Sequence, residues 1–253
     1  MPAPLLARRV EEACLAGWPA LTEILFDGWL LRFSRGHTRR ANSISLLAPS
    51  TEDIAGKVGR CEALYARQGL PTIFRLSTLG TDPVDAVLDE RGYGPREDEA
   101  VVLHRDLAPA IGGSDAGRAR IEEGPSRAWL DALARIQGLG DDAKAANDAI
   151  FAAIAVPAGF AASLSAHGDI AAVAFGAVHR GIVCINAVAT DPAFRRRGHA
   201  RAAVVAILDW ARSTAGAGGA CLPVMAGNDA ARGLYEALGF RTEVSRYAYR
   251  RQR

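Results

Sequence analysis

Three consecutive arginines, Arg195, Arg196 and Arg197, stand before Gly198, and an Ala-rich helical pattern beginning His199-Ala200 follows. A helix start presents backbone N–H groups with no partner inside the helix and carries a partial positive charge, which suits it to phosphate. A glycine at the entrance lets the backbone approach a ligand closely, and the arginines add attraction. This chemistry predicts a phosphate or pyrophosphate at Arg196–Ala200. The competing reading is a solvated basic turn before an ordinary helix. Downstream, "GNDAARGLYEALGF" supplies Asn228, Ala231, Tyr235 and the pair Gly239-Phe240. Ala231, Leu234, Tyr235 and Leu238 share one helical face, so Tyr235 points inward. Taken alone, Tyr235 reads as a core aromatic whose hydroxyl has found a partner, Asn228 as an N-cap and Gly239 as a helix end.

The elements that must position these residues are legible in the pattern. A short strand (118–123) and two helices (125–137 and 141–154) precede strands at 160–166, 170–178 and 182–190, joined by the tight turns "HGD" and "HRG". In the helix after Gly198, Val204, Ile207, Leu208 and Ala211 form one apolar stripe. A strand (220–225), a helix (229–238) and a last strand (241–250) complete the chain. The region 61–103 repeats the element order of 208–249: helix, glycine, strand, loop, helix, Gly-aromatic, strand. Gly92-Tyr93 stands against Gly239-Phe240, which points to an internal duplication. In that alignment Leu88 falls where Tyr235 falls, and Thr81 where Asn228 falls. The expected division is two domains, 1–108 and 118–253, around a Gly/Ala-rich linker at 109–117.

Composition narrows the function classes. The chain has 253 residues, half of them apolar, and a net charge of +2, which gives no case for nucleic acid. Lys57 and Lys144 are the only lysines, so positive charge is carried by planar, bidentate arginine. Cys14, Cys61, Cys184 and Cys221 have no metal-ligand spacing in the sequence. The N-terminus meets Arg8 and Arg9 too early for a signal peptide, and the apolar region 151–178 is interrupted by Pro157, Gly159, His167 and Asp169. A soluble cytoplasmic protein with no membrane span, monomer or homodimer, is expected.

Together the two motifs resemble the Gcn5-related N-acetyltransferase (GNAT) superfamily. Arg195-x-x-Gly198-x-Ala200 follows the family's Q/R-x-x-G-x-G/A. Asn228-x-x-Ala231-x-x-x-Tyr235-Glu236-x-x-Gly239-Phe240 follows its second motif without a gap. The resemblance covers the chain from about Arg118 onward. It implies an α/β (α+β) fold of two GNAT-like domains, each a mixed, mostly antiparallel sheet flanked by helices. It also implies acetyl-coenzyme A as cofactor, lying between two splayed strands. The N–H groups of Arg196, Arg197, Gly198, His199 and Ala200 would hold its pyrophosphate, with Arg195 leading into the loop. Backbone groups of Val188, Ala189 and Thr190 would pair with the pantetheine arm, and an N–H near Val188 would polarise the thioester carbonyl. Asn228 and Ala231 would position the cofactor, and Tyr235 would protonate the departing thiolate. The acceptor is expected to be an amine on a small molecule or peptide. The alternative on the same fold is a non-catalytic acyl-coenzyme A sensor.

No residue is assigned as general base. Asn186 cannot be one, although it can order a water. Met225 stands where some relatives carry an acid, His167 and His179 lie in predicted turns, and Glu243 has no support. The first half departs from the family pattern: before its helix at 51–68 stands only "LLAPSTEDIAG". It reads as a degenerate partner domain. Its hairpin, built on Trp29, Leu31 and Phe33, gathers Arg32, Arg39, Arg40 and Asn42. These form either a pocket for an acidic group on the acceptor or a solvated edge.

Overall fold

In chain order the elements are α1 (Pro4–Gly17), β1 (Thr22–Phe26), β2 (Trp29–Phe33), β3 (Ile44–Leu46), α2 (Ile54–Arg67), β4 (Ile73–Ser77), α3 (Asp85–Glu90) and β5 (Glu97–Asp106). After the linker region come β6 (Ala119–Glu122), α4 (Arg127–Gln137), α5 (Asp141–Ala152), β7 (Ala158–Leu164), β8 (Ile170–His179) and β9 (Ile182–Thr190). The chain ends with α6 (His199–Ser213), β10 (Gly219–Met225), α7 (Asp229–Ala237) and β11 (Thr242–Arg251). This computed structural model describes residues 4–80, 82–108 and 118–252. The 109–117 linker and Thr81 lie outside them. No helix among the described residues is long and apolar enough to cross a membrane.

The chain separates into two units that are not the contiguous halves. Unit 1 is Met1–Pro19, Val102–Val224 and Asn228–Val244; unit 2 is Ala20–Val101, Met225–Gly227 and Ser245–Arg253. In unit 2 the strand order is β11-β4-β3-β2-β1, with senses antiparallel, parallel, antiparallel, antiparallel. In unit 1 it is β5-β10-β9-β8-β7-β6. There β10 and β9 run parallel, and β9, β8, β7 and β6 are successively antiparallel. The bonds Leu107 N–Gly218 O and Ala226 N–Glu99 O make β5 antiparallel to β10. Read from β11 or from β5, the first five strands follow one scheme. Helices α2 and α6 occupy matching places in it, as do α3 and α7. Each half of the sequence thus gives part of its last strand to the other unit: β5 from Val102 onward belongs to unit 1 and β11 from Ser245 onward to unit 2.

Local chemistry explains the elements. Trp29, Leu31 and Phe33 alternate into a core shared with Val58, Cys61 and Tyr65 of α2, Phe74 and Leu76 of β4, and Leu88 of α3. Unit 1 packs Trp129, Phe151, Phe160 and Phe175 edge-to-face around one stacked pair, Phe160 and Phe175, at 5.4 Å. Helix α4 begins after Pro125, not on it: Ser126 is the N-cap and accepts from Trp129 N. Gly138 ends α4 in the left-handed region, as expected.

The hairpin arginines divide between roles. Arg32 is 2% exposed; its Nε donates to Glu23 Oε1 at 3.0 Å and its Nη1 to Arg40 O at 3.0 Å. A solvated edge is therefore wrong for Arg32. Arg39 pairs with Glu97 and Asp98. Asn42 ties the turn, accepting from Ser34 N and Gly36 N and donating to His37 O and Thr38 O.

The loop before α2 holds an internal anion. Asp27, in the two-residue turn with Gly28, accepts from Thr51 N, Glu52 N, Ser50 Oγ and Thr51 Oγ1 and pairs with Lys57 Nζ at 3.1 Å. Lys57 is 0% exposed and lies 4.1 Å from the centre of the Trp29 ring. The Ser50 hydroxyl above all, then Thr51 and Lys57, hold the Asp27 carboxyl well below the usual carboxylate range. A depressed carboxyl adds stability above its unfolded pKa, about 3.9, and loses it as pH falls through the folded value. Asp27→Ala should therefore lower the neutral-pH melting temperature by stranding a buried ammonium. Adding Lys57→Met should recover much of the loss. Thermal melts of the single and double variants check this; equal melting of Asp27→Ala and parent would discard it.

Candidate functional site

The predicted site residues lie on β9 and on the segments that follow β9 and β10, two parallel strands that part. β9 and β10 pair at Ile182–Gly219, Val183–Ala220 and Cys184–Cys221, and the pairing stops there. β9 continues to Thr190 against β8 on its other side. That ladder slips between Asn186 and Ala189, and Ala187 adopts φ +49°, the mark of a bulge that re-aims the backbone of Val188. From Ile185 to Thr190 the edge of β9 that faces β10 is therefore free of a strand ladder.

The loop after β9 is shaped for an anion. Asp191 caps the short 3-10 turn Pro192–Phe194 by accepting from Ala193 N at 2.9 Å. That bond first, then Arg135, keeps its carboxyl below the ordinary range. Arg195, Arg196, Arg197 and Gly198 are exposed. Arg196 has φ +62° and Gly198 φ +82°, so the chain enters α6 through the left-handed region that favours glycine. Helix α6 has no side-chain cap, which leaves the N–H groups at its first turn open to a ligand. Its stripe Val204, Ile207, Leu208 and Ala211 is fully buried, as expected. Where α2 is closed by its N-cap Asp53, whose carboxylate accepts from Gly56 N, α6 is open.

Helix α7 follows β10. Asn228 is its N-cap: Oδ1 accepts from Ala231 N at 3.1 Å. Tyr235 is 7% exposed and meets Phe240 edge-on at 6.1 Å. Its hydroxyl has no hydrogen-bond partner among the described residues, contrary to the expectation for a plain core tyrosine. Burial pushes its pKa up to about 12, so it is a neutral phenol at ordinary pH. Gly239 turns the chain out of α7 at φ +87°. The counterpart of Tyr235 in α3, Leu88, is fully buried and apolar. His167 is exposed and His179 half-buried.

A sequence family described as "Probable histone acetyltransferase Rv0428c C-terminal" matches residues 7–249. The chain belongs to this family, within the GNAT superfamily. It is 25% identical over 253 residues to the "Uncharacterized N-acetyltransferase YobR" of Bacillus subtilis, covering 97% of this chain and 98% of that protein. Its fold is similar to a GCN5-related N-acetyltransferase from Kribbella flavida, with TM-score 0.72, 18% identity and coverage of 98% and 95% of the two chains. It is also similar to a tandem GNAT protein from the clavulanic acid biosynthesis pathway, with TM-score 0.61, 11% identity and coverage of 83% and 74%.

This GNAT chain supports its loop with groups that the sequence motifs do not mark. Arg118 Nη2 donates to Arg197 O at 3.4 Å, and a Cβ on Gly198 would lie 3.5 Å from Arg118 Nη1. His199 Nδ1 lies 2.9 Å from the hydroxyl of Ser163, which is itself buried. Burial, then Arg118 and Arg197, hold the His199 imidazole below its usual pKa. Asn186 is buried where the strands part, and its Nδ2 donates to Cys184 O at 3.4 Å.

Proposed function

We propose that the protein is an N-acetyltransferase that moves an acetyl group from acetyl-coenzyme A to an amine on a small molecule or peptide. The observation that carries this is the parting of β9 from β10 after Cys184–Cys221, which opens beside an uncapped helix entered through a left-handed glycine. The residues fit the cofactor, because φ +82° at Gly198 disfavours a side chain at the entrance and no N-cap side chain closes α6 among the described residues. The thioester supplies an acyl group activated toward direct attack by an amine.

The chain's own groups do the rest. Backbone N–H groups from Arg196 to Ala200 hold the pyrophosphate, with Arg118, Arg195 and Arg197 adding positive charge. Val188, Ala189 and Thr190 offer their open edge to the pantetheine arm as a further strand would, and the bulge at Ala187 turns an N–H toward the thioester oxygen. Asn228 Oδ1 is committed to Ala231 N, leaving its amide Nδ2 for the cofactor. The Tyr235 phenol, protonated and without an internal partner, gives its proton to the leaving sulfur. The family's description names histone acetylation, which is amine chemistry of this kind.

We read unit 2 as a degenerate GNAT-like partner in a tandem protein. Its strand scheme and helix placement match those of unit 1, while Leu88 replaces the phenol and Asp53 caps the helix start. Isothermal titration should therefore find one coenzyme A site per chain; two equivalent sites would overturn this reading. A screen of amine acceptors with acetyl-coenzyme A and thiol detection tests the reaction. Cofactor binding without acetyl transfer to any amine would favour a sensor.

A further inference from the structure

Three of the four cysteines, far apart in sequence, meet inside unit 1. Cys14 comes from α1, Cys184 from β9 and Cys221 from β10. Cys184 and Cys221 are register partners in a parallel pair, so their side chains leave the sheet side by side. The Sγ atoms of Cys14 and Cys221 are 3.9 Å apart and those of Cys14 and Cys184 3.6 Å, and all three lie within 4.8 Å of one another. Cys184 and Cys221 are fully buried and Cys14 is 9% exposed. The reaction chemistry uses none of them.

The arrangement has the size of a coordination triangle. Metal–thiolate bonds of about 2.3 Å around a three-coordinate ion put the sulfurs about 4.0 Å apart. Asn186 Nδ2, 3.4 Å from Cys184 Sγ, supplies an N–H donor of the kind that steadies bound thiolates. No fourth His, Cys or carboxylate joins the group among the described residues. Structural zinc takes four ligands, whereas soft thiolates select Cu(I). We propose that Cys14, Cys184 and Cys221 form a three-sulfur site for a soft monovalent d10 cation, Cu(I) in chemical class. The metal would fasten α1 to β9 and β10 at the last rung before the strands part. Each thiol that becomes a ligand releases its proton to solvent, and copper stays in the +1 state, so no oxidant or reductant is consumed.

The test is anaerobic loading of the full chain with Cu(I) buffered by a competing chelator. One copper per chain should be retained, with a rise in melting temperature. Cys14→Ala should weaken retention by at least the roughly tenfold that losing an outer-shell partner costs, and Cys61→Ala, whose thiol lies in unit 2, should change nothing. Because a core variant can fail to fold, the folded parent is also alkylated slowly under native conditions with and without copper. Mass spectrometry should find Cys14, Cys184 and Cys221 protected by the metal and Cys61 modified. No retained copper, retention that survives Cys14→Ala, protection centred on Cys61, or preferential retention of Zn(II) would each overturn the proposal.

Discussion

Tyr235→Phe should slow acetyl transfer by roughly 10²-fold, within the usual range for a lost acid catalyst, while acetyl-coenzyme A still binds within a few-fold. The substitution removes one oxygen and keeps the ring against Phe240. That oxygen has no hydrogen-bond partner among the described residues, so stability should change by less than the roughly 1 kcal/mol of a typical hydrogen bond. Loss of kcat with retained binding marks an interaction made mainly in the transition state. The pH dependence carries a second sign. The phenol must be protonated to act, and its pKa is pushed up to about 12. Its titration should therefore not limit the rate until pH approaches that value. Single-turnover kinetics on the folded variant decide the matter: a rate within threefold of the parent would return Tyr235 to the core and strengthen the sensor alternative.

Gly198→Glu should weaken coenzyme A binding at least tenfold, about 1.4 kcal/mol. Two effects add. The backbone at φ +82° disfavours any side chain, and a carboxylate at the mouth of α6 would take the place and charge of the ligand. Gly198→Ala separates them, because it carries the strain without the charge and should lose less affinity. Calorimetric titration of both variants, alongside circular dichroism to verify folding, is the measurement. Unchanged affinity in folded Gly198→Glu would remove the pyrophosphate assignment.

The helix entrances, caps and stripes of the second half were largely legible because their signals are local. Glycine at a left-handed helix entrance, an asparagine three residues before the N–H it caps, and an apolar stripe over about two turns each depend on near neighbours. The Asp27-Gly28 turn was equally local, an Asp-Gly pair of the sort that closes hairpins, yet β1 was passed over. Its strand, "TEILF", is mostly exposed and lacks alternation. Other features were hidden because they depend on distant pairing. Nothing in the sequence around Tyr247 and Tyr249 indicates that β11 bonds to β4. The spacing of Cys14, Cys184 and Cys221 gives no hint that their sulfurs meet. The support of Gly198 by Arg118, from before β6, is a contact across 80 residues of chain, and only the fold reveals it.

The crossed final strands bear on how such a protein is inherited. After a duplication, one copy is ordinarily free to decay and be deleted once the other carries the chemistry. On the proposed duplication the first copy carries Leu88 in place of the phenol and no counterpart of the arginine-glycine entrance, but β5 remains the neighbour of β10, and α1 remains part of unit 1. Removing the first copy would strip the surviving one of an edge strand and a helix, exposing unpaired backbone and apolar surface. Selection on folding alone is then enough to keep the first half, whatever chemistry it has. Its surfaces are free to drift toward other uses while its strand scheme is held fixed.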